Sequence, residues 1–368
     1  MRILITTGIY PPDIGGPATY VPQLAADLVK YGHSVEIITL GASAIVEKAL
    51  NINVIVLKRN EPKLLRTLKV IVQISKSMRN ADAVFSNGLF PETAISLCFK
   101  KKLNSVAKIV GDPVWEKARN QNKTNLTMAE FNNFKISLQF KLLRLIFKWS
   151  WNRFHVLTCP SSELQNFLYE FGVSPEVICV QNGVEIYELN SNSEKDYDLL
   201  CVARLVTWKN IDIVIRAAAE LKLTLAIVGA GPEERNLRDL ASSLGSDTKF
   251  YGQKTKHEVH EIMKKSRIFV QISDYEGLSF SLLEAMSLRL VPIVSANEGN
   301  RSVVVDRVNG AISPINLAAL KEIIQNCLSD EKLFGILATA AHRTVLEKFN
   351  GEARRREMVN LITGSSNE

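Results

Sequence analysis

Short runs of about five apolar residues, rich in Val and Ile, alternate along nearly the whole chain with amphipathic stretches of helical length. The first such run, Arg2-Ile3-Leu4-Ile5-Thr6, begins one residue from the start. In the first half the pattern predicts further strands at Ser34–Thr39, Asn53–Leu57, Asp82–Ser86, Val106–Val110, His155–Cys159 and Val177–Val180. In the second half it predicts them at Asp198–Ala203, Leu223–Gly229, Lys249–Tyr251, Arg267–Ile272 and Val291–Ser295. A strand that reads as continuously apolar is covered on both faces, which is the situation in a parallel sheet flanked by helices. Ala18–Tyr31, Asn210–Leu221 and Pro232–Leu244 supply helical stretches between strands. The alternation implies right-handed βαβ units and an α/β chain of open, doubly wound sheets.

The pattern breaks once. Residues 185–197 are polar and lack periodicity, just after Asn182-Gly183-Val184. At roughly 150 residues per domain, 368 residues suggest two domains, here 1–183 and 184–345. Two Rossmann-like, doubly wound parallel-sheet domains facing each other would leave a central cleft at the carboxyl ends of both sheets, where such sheets bind ligands. The charge divides at the same place. Residues 1–183 hold 22 Lys and Arg against 13 Asp and Glu, whereas residues 184–368 hold 23 against 25. The net charge of +7 therefore belongs to the first half, and an anionic partner is expected there.

Several classes are excluded. No apolar run reaches the roughly 18 residues of a membrane span. The 5 cysteines are odd in number, scattered and without a C-x-x-C pair, so neither a disulfide framework nor a zinc site is expected. With a strand-like run at the start in place of a signal peptide, the expected compartment is the cytoplasm. The sequons at Asn122 and Asn125 matter only in a secreted chain.

Three motifs lie where predicted strands end. After the first strand comes Thr6-Thr7-Gly8-Ile9-Tyr10-Pro11-Pro12-Asp13-Ile14-Gly15-Gly16-Pro17. Neither G-x-G-x-x-G nor a P-loop is present, which argues against an NAD-dependent dehydrogenase. Gly15 and Gly16 precede a helix and permit close backbone approach to an anion at its N-terminus; a plain tight turn is the alternative. After the strand ending at Ala203 comes Arg204-Leu205-Val206-Thr207-Trp208-Lys209-Asn210, whose two cations can grip a diphosphate or simply decorate a helix start. After the strand ending at Ile272 comes Glu276-Gly277-Leu278-Ser279-Phe280-Ser281-Leu282-Leu283-Glu284-Ala285-Met286, with a helix expected from about Ser279. Its two carboxylates suit hydroxyl donors of a sugar, and the N–H groups of Gly277, Leu278 and Ser279 suit an oxygen of sugar or phosphate. Two ordinary surface glutamates would give the same spacing.

In order and spacing, these elements together with Val228-Gly229-Ala230-Gly231-Pro232 resemble a retaining glycosyltransferase of family 4, with the GT-B fold. Asn182-Gly183-Val184 and Phe250-Tyr251-Gly252 resemble further parts of that pattern, so the resemblance covers essentially the whole chain. It implies that Arg204 and Lys209 bind the diphosphate of a UDP- or GDP-sugar, that Glu284 binds the ribose, and that Glu276 lies by the transferred sugar. It implies no metal and no cofactor beyond the nucleotide-sugar donor, and no D-x-D motif is present. It also implies a glycan or lipid-linked acceptor on the first domain, a setting in envelope polysaccharide or lipopolysaccharide synthesis, and front-face substitution with retention. A nucleotide-sugar 2-epimerase of the same fold and a non-catalytic sugar-nucleotide-binding subunit are the alternatives. In relatives the C-terminal helix crosses back to the first domain, which assigns that role to 346–368. The sequence departs from the family at one point. Many relatives carry a His near the donor sugar, and Val110–Glu116 has none; Asp112 or Glu116 is the candidate substitute, with a turn start as the plain reading of Asp112.

Three segments carry the positive excess without a single acid: Pro62–Ala81, Phe99–Lys108 and Phe134–Phe154. The last has two adjacent apolar stripes at helical spacing, one through Phe134, Leu138, Leu142, Leu145 and Trp149, the other through Ile136, Phe140, Leu143 and Phe147. A face this wide reads as a core helix, and alternatively as one lying in a membrane interface. The charge predicts peripheral contact with an anionic membrane, such as the inner face of the cytoplasmic membrane. Nucleic acid is not expected, because no recognition motif accompanies the charge.

Overall fold

The computed structural model describes residues 1–365 except 14, 50, 101–102, 122, 127, 134–136 and 187–193. The chain forms two compact units, Met1–Gln181 with Arg354–Glu368, and Asn182–Ala353.

Unit 1 is built on eight strands: β1 (Arg2–Thr7), β2 (Ser34–Gly41), β3 (Ile45–Ala49), β4 (Ile52–Lys58), β5 (Ala83–Asn87), β6 (Asn104–Lys108), β7 (Val156–Cys159) and β8 (Glu176–Cys179). Their order is β3-β4-β2-β1-β5-β6-β7-β8, all parallel except β3, which pairs antiparallel with β4 at the edge. The helices are α1 (Gly16–Lys30), α2 (Lys63–Met78), α3 (Phe90–Leu97), α4 (Pro113–Asn120), α5 (Met128–Asn133), α6 (Leu138–Trp151) and α7 (Ser162–Phe171). The chain moves one way from β1 to β2 through α1, then the other way from β4 to β8. Right-handed crossovers therefore put α2, α3, α6 and α7 on the face opposite α1. On the α2 side, Val70, Ile74 and Met78 pack with Leu4, Ile38 and Val84 of the sheet.

Unit 2 has β9 (Tyr197–Val202), β10 (Leu225–Val228), β11 (Thr248–Gly252), β12 (Ser266–Gln271), β13 (Val291–Ser295) and β14 (Ala311–Ser313), all parallel, in the order β11-β10-β9-β12-β13-β14. Its helices are α8 (Ile211–Leu221), α9 (Glu234–Ser243), α10 (Lys256–Lys264), α11 (Phe280–Ser287), α12 (Glu298–Arg301), α13 (Leu317–Ser329) and α14 (Glu331–Lys348). Two cores lie on the two faces of the sheet. One joins Val214 and Ile215 of α8 to Ile227, Ile268 and Ile324. The other joins Met263 of α10 and Leu282 and Met286 of α11 to Phe269 and Val345. The last helix, α15 (Gly351–Thr363), belongs to unit 1 from Arg354 onward. There Arg355 pairs with Asp27 of α1, and Asn104 Nδ2 donates to the carbonyls of Leu361 and Ile362 at 2.9 and 2.8 Å.

Two strands were not expected, and both are edge strands. β3 is a short antiparallel partner, and β14 has three residues, too few to give a period. The expectation for the apolar segment needs a larger correction. Of its two stripes only the second is turned inward: Phe140 is buried, with Leu143 and Phe147 half-buried. The first is turned outward, with Leu138 72% and Leu145 61% exposed. Phe134, Lys135 and Ile136, like Lys101 and Lys102, the sequon positions Asn122 and Thr127, and most of the polar junction (187–193), lie outside the described residues.

Candidate functional site

In unit 2 the strand order reverses between neighbouring β9 and β12, because the chain leaves β9 toward β11 and returns through β12 toward β14. Loops at such a switch point diverge beyond the carboxyl ends of the strands and leave room for a ligand. The Arg204–Asn210 loop follows β9, and the loop containing Glu276 follows β12.

The two loops are tied to each other. Leu205, Val206 and Trp208 are buried anchors of the first, leaving Arg204 exposed and Lys209 half-buried. Asn210 adopts a left-handed conformation, with φ 47°. Its side chain donates to Ile272 O at 2.9 Å and to Asp274 Oδ1 at 2.8 Å. The Asp274 N–H in turn donates to Trp208 O at 2.9 Å. These bonds bring Lys209 Nζ into an ion pair with Glu276 Oε1. The same oxygen accepts from Ser273 Oγ at 2.6 Å. Glu276 is only 9% exposed, and a carboxylate at that depth requires such partners.

Two glycines set how closely the surrounding backbone approaches. Gly229, after β10, has φ 135°, and a Cβ there would lie 1.9 Å from Ala203 O. At Gly299, on α12, a Cβ would lie 1.9 Å from Glu276 O. Both positions admit only hydrogen, so the β10 loop closes on the Arg204 loop and α12 closes on the Glu276 turn.

Beyond Glu276, Gly277 is half-buried and Leu278 buried. Leu278 O accepts from Asn182 Nδ2 at 2.9 Å, and Val184 N–H donates to Phe349 O at 3.0 Å. The Asn182-Gly183-Val184 motif thus clamps the start of unit 2. Ser279 is the N-cap of α11, its Oγ accepting from Leu282 N–H at 3.3 Å. Glu284 stands in the second turn of α11, is 8% exposed, and faces α10. Lys256 Nζ lies 3.8 Å and His260 Nε2 3.7 Å from its Oε1.

In unit 1, Gly15 is the N-cap of α1 and Gly16 its first residue; Ile14 between Asp13 and Gly15 lies outside the described residues. Arg59 holds the preceding loop, pairing with Asp13 and donating to Gly8 O at 3.2 Å and Leu40 O at 2.8 Å. Asp112 is wholly buried, at 0% exposure. It caps α4, with Oδ1 accepting from Val114 N–H at 2.8 Å. Burial raises its pKa, opposed by the Val114 and Trp115 N–H groups and by the Arg144 charge. Its visible work is therefore capping, and Glu116 lies half-buried in the first turn of the same helix. No group of three His, Cys, Asp or Glu side chains able to hold a metal occurs among the described residues.

Sequence reasoning missed Arg59, Ser273, Lys256, His260 and Gly299. Ser273 was within reach, since it follows the strand end that drew attention to Glu276. Lys256 and His260 are four apart and so share a helix face. Nothing local ties that face to Glu284, and nothing local ties Arg59 to the glycine loop.

Residues 14–187 match the family model described as Glycosyltransferase Family 4, and residues 185–343 match that described as Glycosyl transferases group 1. An uncharacterized glycosyltransferase of Methanocaldococcus jannaschii is 28% identical over 60% of this chain and 61% of its own length. The GDP-mannose-dependent monoacylated alpha-(1-6)-phosphatidylinositol monomannoside mannosyltransferase of Corynebacterium glutamicum is 24% identical over 54% of this chain and 59% of its own. The matches to the Methanocaldococcus jannaschii protein, to a putative colanic acid biosynthesis glycosyltransferase of Salmonella typhimurium and to a putative glycosyltransferase of Bacillus subtilis span about half to three-fifths of those relatives' lengths. The crystal structure of Anabaena HepE in complex with UDP and glucose shares the fold, with a TM-score of 0.80 and 17% identity over 99% of this chain and 100% of that one.

Proposed function

Because the chain belongs to the family 4, group 1 glycosyltransferases, we propose that it transfers a sugar from a nucleotide-diphosphate sugar to a hydroxyl of a glycan or lipid-linked acceptor. Synthesis of envelope polysaccharide or lipopolysaccharide is the setting. The observation that carries the reading is the Lys209–Glu276–Ser273 cluster at the switch point of unit 2, with exposed Arg204 on the same loop.

The chemistry follows from what each group can do. Breaking the bond between the anomeric carbon and the phosphate oxygen sends its electron pair to the diphosphate. Arg204 and Lys209 neutralise that developing charge, the task a metal ion performs elsewhere, so no metal or further cofactor is required. Glu276, held by Lys209 and Ser273, sits where the transferred sugar is fixed and where positive charge grows at the anomeric carbon. Glu284 accepts from ribose hydroxyls, its carboxylate positioned by Lys256 and His260. The acceptor oxygen bonds to the anomeric carbon on the face the leaving group vacates. Its proton passes to the departing phosphate oxygen, which gives retention without a protein nucleophile.

The HepE structure with UDP and glucose supports a UDP-sugar, and the mannosyltransferase relative supports a GDP-sugar. A thermal-shift screen of UDP- and GDP-sugars, run with and without chelator, tests the reading. A chelator-indifferent rise in the midpoint of unit 2 with one of these donors is the expected result. No rise with any of them, or a rise abolished by chelator, overturns it.

A further inference from the structure

Unit 1 carries a surface that the transfer chemistry does not use. On α2, Leu64, Leu65, Leu68 and Val72 form one helical stripe, and Leu64 is 74% exposed. The buried residues of α2, Val70, Ile74 and Met78, occupy the opposite side. On α6, Leu138, Leu142, Leu145, Ile146 and Trp149 form a second exposed stripe. Helix α3 packs against both α2 and α6, and all three lie on one face of the sheet. Phe99, just after α3, is 80% exposed. Two apolar stripes and an aromatic ring thus lie in a single helical layer. Exposed apolar side chains gathered on one helical layer in this way mark a contact site.

The charge around it selects the occupant. Lys63, Lys76 and Arg79 are exposed in and around α2, where Lys69 pairs with Glu61 just before the helix, and Lys141, Lys148 and Arg153 are exposed in and around α6. Neither helix contains an acid. Lys63 opens α2, at the positive end of the helix dipole, where a cation is locally unfavourable. Arg153 lies over the Trp149 ring, 5.4 Å from its centroid, at the end of the α6 stripe. No helix among the described residues is long and apolar enough to cross a membrane. A second copy meeting this face with its own would set these cations against their equivalents.

We propose that the α2–α6 layer is the docking surface of unit 1 for an anionic lipid bilayer: Leu68, Val72, Leu142 and Leu145 enter the acyl boundary, and the flanking Lys and Arg side chains meet the headgroups. The layer lies on the bilayer and does not span it. This inference stands independently of the transfer reading, because it needs neither donor nor acceptor.

The test is sedimentation of the full chain with phosphatidylglycerol-containing vesicles and with pure phosphatidylcholine vesicles, at low and high salt. Binding to the anionic vesicles, weakened by salt, is expected, with little binding to the neutral ones. Lys76→Gln with Lys141→Gln removes one cation from each helix and should lower partitioning about 25-fold, roughly fivefold per charge. Leu68→Ser with Leu145→Ser should lower it at least tenfold with an unchanged thermal midpoint, since both side chains are already exposed. Equal binding to both vesicle types overturns the proposal, as does no binding to either. A soluble dimer that dissociates in the Leu68→Ser, Leu145→Ser variant also overturns it, because it assigns the face to a second copy.

Discussion

Lys209→Ala separates two consequences of the cluster in unit 2. The ion pair it removes is largely buried, with side-chain exposures of 17% for Lys209 and 10% for Glu276. Removing one partner of a fully buried pair costs about 3–5 kcal/mol. Residual exposure and the Ser273 hydroxyl reduce that here to roughly 1–3 kcal/mol for unit 2. Separately, a charge-assisted hydrogen bond to a phosphate contributes about 1.5–3 kcal/mol. Nucleoside diphosphate affinity should therefore fall about 10- to 150-fold. The two effects come apart on adding Glu276→Gln. The double variant no longer buries an unpaired carboxylate, so its stability should recover most of the loss while its nucleotide affinity stays weak. Trp208, the one tryptophan of unit 2, is buried beside Lys209 and reports unfolding of that unit by fluorescence. Calorimetric titration with UDP and GDP reads the affinity. An affinity for both nucleotides within twofold of the parent would refute the placement of the diphosphate. Strictly additive stability losses would refute the coupling between Lys209 and Glu276.

Three further outcomes follow from the structure. Lys108 is buried in unit 1 with its Nζ 3.9 Å from the Tyr20 ring centroid, and burial, opposed by Cys159 and Cys179, pulls its pKa from 10.5 down to about 7. Between these values the unfolded chain binds the extra proton, so this group's contribution to stability rises with pH across that window. Lys108→Met should raise the stability of unit 1 most at pH 7 and below, by up to roughly 5 kcal/mol, with the gain shrinking toward pH 10; a gain independent of pH would count against burial of the charge. Gly229→Ala should destabilise unit 2 by about 3 kcal/mol or more, given its φ of 135° and the carbonyl 1.9 Å from the new Cβ. Gly335→Ala, with nothing within 4 Å and a place inside α14, should be neutral or mildly stabilising, and denaturant titration of each variant reads both effects.

The interior strands were legible because a strand covered on both faces can carry apolar residues continuously, as Val291–Ser295 does with every residue buried. β3 and β14 escaped for the converse reason, since edge strands need neither length nor continuous burial. The loops bearing Arg204, Lys209 and Glu276 were legible because they follow such strands directly. Their cross-ties were not. That Asn210 reaches Ile272 and Asp274 depends on β9 and β12 being neighbours, a consequence of strand order and not of any local pattern. Asp112 shows the limit at a single residue: the sequence makes it a candidate site residue, with a turn start as the plain alternative, and the structure adds that it caps α4. The α6 stripes show it at the level of a surface. Hydrophobic periodicity says that Leu138, Leu142 and Leu145 share a face with one partner, but not whether that partner is the protein's own core. Here the core takes Phe140 and Trp151 instead.

The most direct test of the account is acceptor-dependent release of nucleoside diphosphate from the donor identified by thermal shift, measured for the parent and for Glu276→Ala alongside the nucleotide affinity of each. The account predicts release that requires acceptor, yields a product with the donor's anomeric configuration, and falls at least 100-fold in Glu276→Ala, about 2.7 kcal/mol, while UDP or GDP affinity changes by less than about threefold. Unchanged release in Glu276→Ala, or an isomerised donor sugar formed without any acceptor, would contradict it.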